Sequence, residues 1–133
     1  MRLLVIGSDR SLFAPHNDVR RRIQLQARQV SEMDIIVFSL RSHGLVEVHA
    51  ENLHLYPTNS RSRLGYIRDA VRIAKKIASA DVVSAQDPFE SGLAAYFAAR
   101  RLRAPLQLQI HTDFLSPHFA RRSLLNRMRV FIA

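Results

Sequence analysis

Cysteine is absent from the 133 residues. That excludes a disulfide scaffold, a thiolate metal site and a catalytic cysteine, and it permits a reducing compartment. Long apolar runs are missing too. The longest, Gly92 to Ala99, falls well short of the ~20 residues that a bilayer span needs. The run Leu3 to Gly7 is too short for a signal-peptide core, and Asp9 and Arg10 follow at once. A cytoplasmic protein is expected. Glycine is scarce, with four residues, and none falls in G-x-G-x-x-G or G-x-x-x-x-G-K-S/T. Those loops bring backbone amides against a pyrophosphate, so dinucleotide binding of that kind and P-loop phosphoryl transfer are not expected. The serine-hydrolase elbow G-x-S-x-G is missing as well.

What is present suits one globular domain. Hydrophobic residues make up 47% and charged residues 23%, enough apolar surface to offset chain entropy. A chain of this length buries roughly 68% of its unfolded surface. Lys+Arg number 20 against 11 Asp+Glu, a formal net charge of +9. Nearly all of the positive charge is arginine, since Lys75 and Lys76 are the only lysines. It falls in three clusters: Arg20 to Arg22, Arg61 to Lys76, and Arg121 to Arg129. Such faces attract nucleic acid, anionic lipid or phosphorylated ligands, and a solvated face on each helix is the plainer alternative. No aromatic-and-basic motif, zinc finger or helix-turn-helix accompanies the charge. Nucleic acid is therefore not expected as a partner, while peripheral contact with an anionic membrane stays open.

Along the chain, Arg2 to Gly7 reads as a buried strand. Val19, Ile23, Ala27 and Val30 recur at helical spacing, with Arg20, Arg21 and Arg28 off the stripe. Asn17 or Asp18 suits the cap. Asp34 to Ser39 is a second strand. Val46 and Val48, then Leu53 and Leu55, predict one or two short strands broken near Ala50 to Asn52. Leu64, Ile67, Val71, Ala74 and Ala78 form the stripe of a second helix. Asp81 to Ala85 is a strand, and Asp87-Pro88 opens a third helix, with Asp87 as its cap. That helix is apolar on most sides from Phe89 to Ala99, which predicts deep burial, including Tyr96 and Phe97. Leu106 to Ile110 is the last strand, and a helix follows from about Phe119. Alternation of this kind predicts an α/β fold: a Rossmann-like three-layer sandwich around a five-stranded parallel sheet of order 3-2-1-4-5. Leu124, Leu125, Met128, Phe131 and Ile132 are still apolar at helical spacing when the sequence stops, which predicts exposed apolar surface and a fragment or natural stub of something longer.

Ligands of open α/β sheets bind beyond the carboxyl ends of the strands, near the reversal in strand order. Three loops qualify: Gly7-Ser8-Asp9-Arg10, Gln86-Asp87-Pro88-Phe89, and His111-Thr112-Asp113-Phe114. Asp9 and Arg10 either face a ligand or close a loop salt bridge. Asp87 is explained by capping alone. His111 can donate to a sugar hydroxyl or phosphate, or act as acid or base; a structural histidine is the alternative. Thr112 and Asp113 either contact substrate or cap a turn. His43, His49, His54 and Glu47 lie in the irregular middle segment without recognised metal-ligand spacing, so no metal is expected.

Four segments together resemble the N-terminal domain of family-four glycosyltransferases of the GT-B class. They are Arg2-Leu3-Leu4-Val5-Ile6-Gly7; Asn52-Leu53-His54-Leu55-Tyr56-Pro57; Asp81 through Phe89 with Gly92-Leu93-Ala94-Ala95; and Pro105 through Phe114. The likeness covers essentially the whole chain, and its most specific parts are the D-P-F helix start and the strand ending in H-T-D-F. The resemblance implies one half of a two-domain enzyme that transfers a sugar from a nucleotide-sugar donor to an acceptor, with retention and usually without a metal. It implies that His111 lines the catalytic cleft, that Gly7 through Arg10 approach the donor phosphates, and that Asp87, Thr112 and Asp113 lie on the substrate side. Two departures stand out. The first loop has only Gly7 where many members have a glycine pair. The family's two glutamates separated by seven residues, which belong to its second domain, have no counterpart among Glu32, Glu47, Glu51 and Glu90. The donor-binding domain is thus expected in cis or trans. The rival readings are a stand-alone Rossmann-like or flavodoxin-like binding module, or partner subunit of a split enzyme, and a basic nucleic-acid-binding domain.

Overall fold

The apolar amino-terminal run becomes β1 (Arg2–Gly7), with Leu4 and Ile6 fully buried near the middle of a mostly parallel sheet. The computed structural model describes residues 1–111 and 116–132. After β1 come α1 (Asp18–Ala27), β2 (Glu32–Val37), β3 (Val48–Ala50), β4 (Leu53–Pro57), α2 (Tyr66–Ala74), β5 (Val82–Ala85), α3 (Glu90–Leu102), β6 (Leu106–Leu108), α4 (Pro117–Arg121) and α5 (Leu124–Ile132). The fold is α/β, a Rossmann-like three-layer sandwich.

The sheet runs β3-β4-β2-β1-β5-β6. Its five parallel strands keep the expected 3-2-1-4-5 order, but the sheet has six strands, not five. The extra strand is β3, which pairs antiparallel with β4 across Glu51 and Asn52 and forms the outer edge. Glu51 takes the turn at φ 53, and the Asn52 amide donates to Ala27 O and Val30 O. The hairpin is thereby pinned to the end of α1. The reversal of strand order falls between β1 and β5, whose loops therefore open the ligand-binding crevice.

The two sheet faces bury different partners. Leu12, Ile35, Val37, Leu53 and Leu55 pack beneath α1 with Val19, Ile23 and Ala27. Leu4, Ile6, Ile36, Val83 and Ala85 pack beneath α2 and α3. Helix α1 starts where the cap was expected, with Asn17 Oδ1 accepting from the Val19 N–H at 2.8 Å. Arg20, off the apolar stripe, is nonetheless buried. Its Nη1 donates to Leu12 O at 2.9 Å and so ties α1 to the short turn after β1.

Several expectations are corrected. Leu64 is not on the buried stripe of α2: it precedes the helix and is 96% exposed. Ala78 lies beyond the helix end. Ala74 is buried as expected and Ile67 packs on the core, but the most buried residues of α2 are Asp69, Ala70 and Ala74, because α2 and α3 pack closely and leave room mainly for small side chains. The same holds for α3. Its buried residues are Ser91, Gly92, Ala94, Ala95, Ala98 and Ala99, whereas Tyr96 and Phe97 are 44% and 45% exposed. Leu64 and Phe97 instead line an open groove between the two helices, bordered by Arg68, Arg72, Lys75 and Arg101. The last strand stops at Leu108, short of Ile110. The final helix divides into α4 and α5 around Ser123, whose Oγ accepts from the Asn126 N–H. On α5, Leu124, Leu125, Met128 and Phe131 are exposed, as the uncovered stripe predicts. Among the described residues no helix is long and apolar enough to cross a membrane.

Candidate functional site

Where β1 and β5 end, their loops border a cavity of about 220 Å³ lined by Ser8, Arg10, Phe38, Arg63, Tyr66, Asp87, Glu90, Leu125 and Arg129. Three elements besides the loops build it. Phe38, just past β2, stacks on Tyr66 at 5.0 Å between ring centroids and gives the cavity an aromatic wall. Tyr66 opens α2, so the positive end of that helix faces the same space. Arg129 reaches in from α5, held 3.3 Å from Glu90 and 5.5 Å over the Phe89 ring. Three guanidinium groups against two carboxylates leave the lining net positive. Arg10 and Arg63 are exposed and make no ion pair among the described residues. They are therefore available to an anionic ligand.

The first loop divides its roles. Ser8 and Arg10 face the cavity. Asp9 turns away: its Oδ1 accepts from the Ser11 N–H at 3.0 Å and from the Ser11 hydroxyl, capping the short turn Arg10–Phe13. A salt bridge between Asp9 and Arg10 is therefore not formed. Gly7 is buried and overlaid by the Gln86 side chain, whose Oε1 would lie 1.8 Å from any added Cβ. The close approach is to the tip of a flexible side chain, and that amide covers the Gly7 backbone.

Asp87 is not the helix cap expected from the sequence: the cap position of α3 is Phe89, which has no side-chain cap, and the Asp87 carboxylate closes the turn before it. Its Oδ1 accepts from the Phe89 N–H at 2.8 Å and its Oδ2 from the Ser91 hydroxyl at 2.7 Å. These bonds close the turn leading into α3 and do not cap its first turn, and Pro88 lies outside the helix, not at its first position. The same carboxylate borders the cavity. Asp87→Ala should cost about 1–2 kcal/mol, since two part-buried hydrogen bonds that close the turn before α3 are lost; denaturant unfolding checks it, and an unchanged midpoint would contradict it.

His111 lies past β6 and is exposed, with Nε2 3.4 Å from Gln109 Oε1. It is not among the side chains lining the cavity. Thr112 and Asp113 lie outside the described residues. Arg63, Tyr66 and Arg129 are not marked by the strand-end rule because they come from the turn before α2, from α2 and from α5, and only the tertiary fold brings them to the strand ends. The basic clusters they belong to were the one available signal. Set against known proteins, the chain matches no family model and no curated protein.

Proposed function

We propose that the chain forms the acceptor-side wall of a retaining glycosyltransferase that uses a nucleotide-sugar donor. One observation carries this reading. Ser8, Arg10 and Asp87, picked from the sequence for lying at the sheet's reversal point, border a single cavity. Arg63 and Arg129 add cationic groups there, and Phe38 and Tyr66 add an aromatic wall. Guanidinium groups suit a diphosphate, on which negative charge develops as the sugar leaves. His111, Thr112 and Asp113 belong to the same reading on the strength of the resemblance. A second domain, in cis or trans, would supply the opposing wall and hold most of the donor. No metal is called for, because the cationic side chains would bear the leaving-group charge.

The test is a titration of the chain with UDP and GDP, with uridine and random-sequence DNA as controls. Weak binding that requires the diphosphate, without sugar transfer by the chain alone, is the expected result. Equal binding of uridine would remove the phosphate from the account. Tighter, steeply salt-dependent binding of DNA would favour a nucleic-acid role.

A further inference from the structure

At the opposite, amino end of the parallel strands, a row of ionisable side chains crosses four strands. Arg2 on β1 is ion-paired with Glu32 on β2. Glu32 Oε1 lies 3.3 Å from His54 Nε2 on β4. His54 stands directly opposite His49 on β3, and their Nδ1 atoms are 3.0 Å apart. His49 Nε2 in turn lies 3.3 Å from Glu47 Oε2. The row borders a cavity of about 390 Å³, which Asp34, Tyr56 and Lys76 also line. Tyr56 donates its hydroxyl to Asp34 at 3.1 Å. Burial pushes the Asp34 carboxyl up, and burial beside Asp34 pushes Tyr56 up to about 12.

Proton counting makes the histidine pair informative. A neutral imidazole carries one N–H, and an ionised carboxylate only accepts. Each ring turns Nε2 to a carboxylate, an arrangement that favours the tautomer with the proton on Nε2. The two Nδ1 lone pairs then point at each other, a contact that is repulsive unless a positive centre lies between them. Two imidazole nitrogens on one tetrahedral zinc ion stand about 3.4 Å apart, given bonds of ~2.0–2.1 Å. The observed 3.0 Å is shorter, so both rings must rotate to admit an ion. Donation of the outer N–H to a carboxylate is also how metal-bound histidines are oriented.

We propose that His49 and His54 form a two-histidine site for a borderline divalent transition ion such as Zn²⁺, with Glu47 and Glu32 positioning the rings. Among the described residues no group of three or more His, Asp or Glu is placed to hold a metal. Water therefore completes the coordination, and affinity is modest. Imidazole donors disfavour Ca²⁺ and Mg²⁺, which take oxygen ligands. The sequence spacing predicted no metal here; the pair is created by strand register. The site lies at the far end of the sheet from the cationic cavity and plays no part in the proposed transfer.

The test is calorimetric titration of the chain with Zn²⁺ and Mg²⁺, with the histidine ring nitrogens followed by NMR. One Zn²⁺ equivalent should bind and shift both Nδ1 resonances, and Mg²⁺ should give no heat. His49→Ala and His54→Ala should each weaken binding at least about tenfold, and Glu47→Gln by about tenfold. His49 is half exposed, with 52% of its side chain accessible, so its variant folds even where the His54 variant does not; circular dichroism checks this. Undiminished Zn²⁺ binding by His49→Ala would overturn the proposal. So would a lack of Zn²⁺ binding in the wild-type chain, leaving a proton shared by the rings as the only occupant.

Discussion

Gly92→Val should destabilise the chain by about 3 kcal/mol, the upper range for overpacking a close-packed site, and lower the melting temperature by roughly 10 °C. A Cβ at Gly92 would sit 2.9 Å from Asp87 O and 3.4 Å from Leu108 Cδ2. The nearer partner is backbone, held in the turn that the Asp87 carboxylate itself closes, so it cannot swing aside as a side-chain tip would. Alanine would gain about 1 kcal/mol of helix propensity over glycine, and the clash of about 1–3 kcal/mol still outweighs it. Valine adds a branched side chain with one favoured rotamer in a helix, and nothing offsets that. Pushing Asp87 outward would also distort the cavity it lines, so ligand binding should weaken together with stability. Thermal unfolding of both variants checks the argument. A Gly92→Ala variant more stable than the parent would show that the turn yields.

Replacing Arg10 and Arg63 together by serine should weaken diphosphate binding about 100-fold, or about 2.8 kcal/mol at 1.4 kcal/mol per tenfold. That is just under the lower end for two charge-assisted hydrogen bonds of about 1.5–3 kcal/mol each, as suits two exposed side chains. Stability should change by less than about 0.5 kcal/mol, since neither side chain is buried or ion-paired in the described structure. The double lysine variant keeps the charge but loses the planar fork that grips two phosphate oxygens, so its affinity should fall between the two. Calorimetric titration reads all three proteins. Equal affinity in the serine variant would place the ligand elsewhere.

The parallel strands were legible because buried strands read as continuous apolar runs, and Leu3 to Ile6 and Ile35 to Phe38 are such runs. Strand β3 was only half legible: it is three residues long and sits at an edge, so little apolar pattern marks it. Helix α3 was misread for a physical reason. Apolar character on every side suggested burial of every side, but the packing distance at Gly92 admits only small residues. Size, more than hydrophobicity, chose the inner face, and Tyr96 and Phe97 were left outside. Leu64 was misplaced because it precedes α2 and never enters its stripe. In the candidate site, the loop rule for α/β sheets was enough to find Ser8, Arg10 and Asp87. Arg63 and Arg129 needed the placement of the turn before α2 and of α5, which no local spacing encodes. The His49–His54 pair needed the register of an irregular hairpin turned at Glu51.

The most direct measurement is a backbone NMR titration of the isotope-labelled chain with UDP. The account predicts shifts concentrated at Ser8, Arg10, Arg63, Tyr66, Asp87 and Arg129, around the carboxyl ends of β1 and β5, with the amino-end row of Arg2, Glu32, His49 and His54 undisturbed. Shifts centred on that row, or no shifts at millimolar UDP, would contradict it.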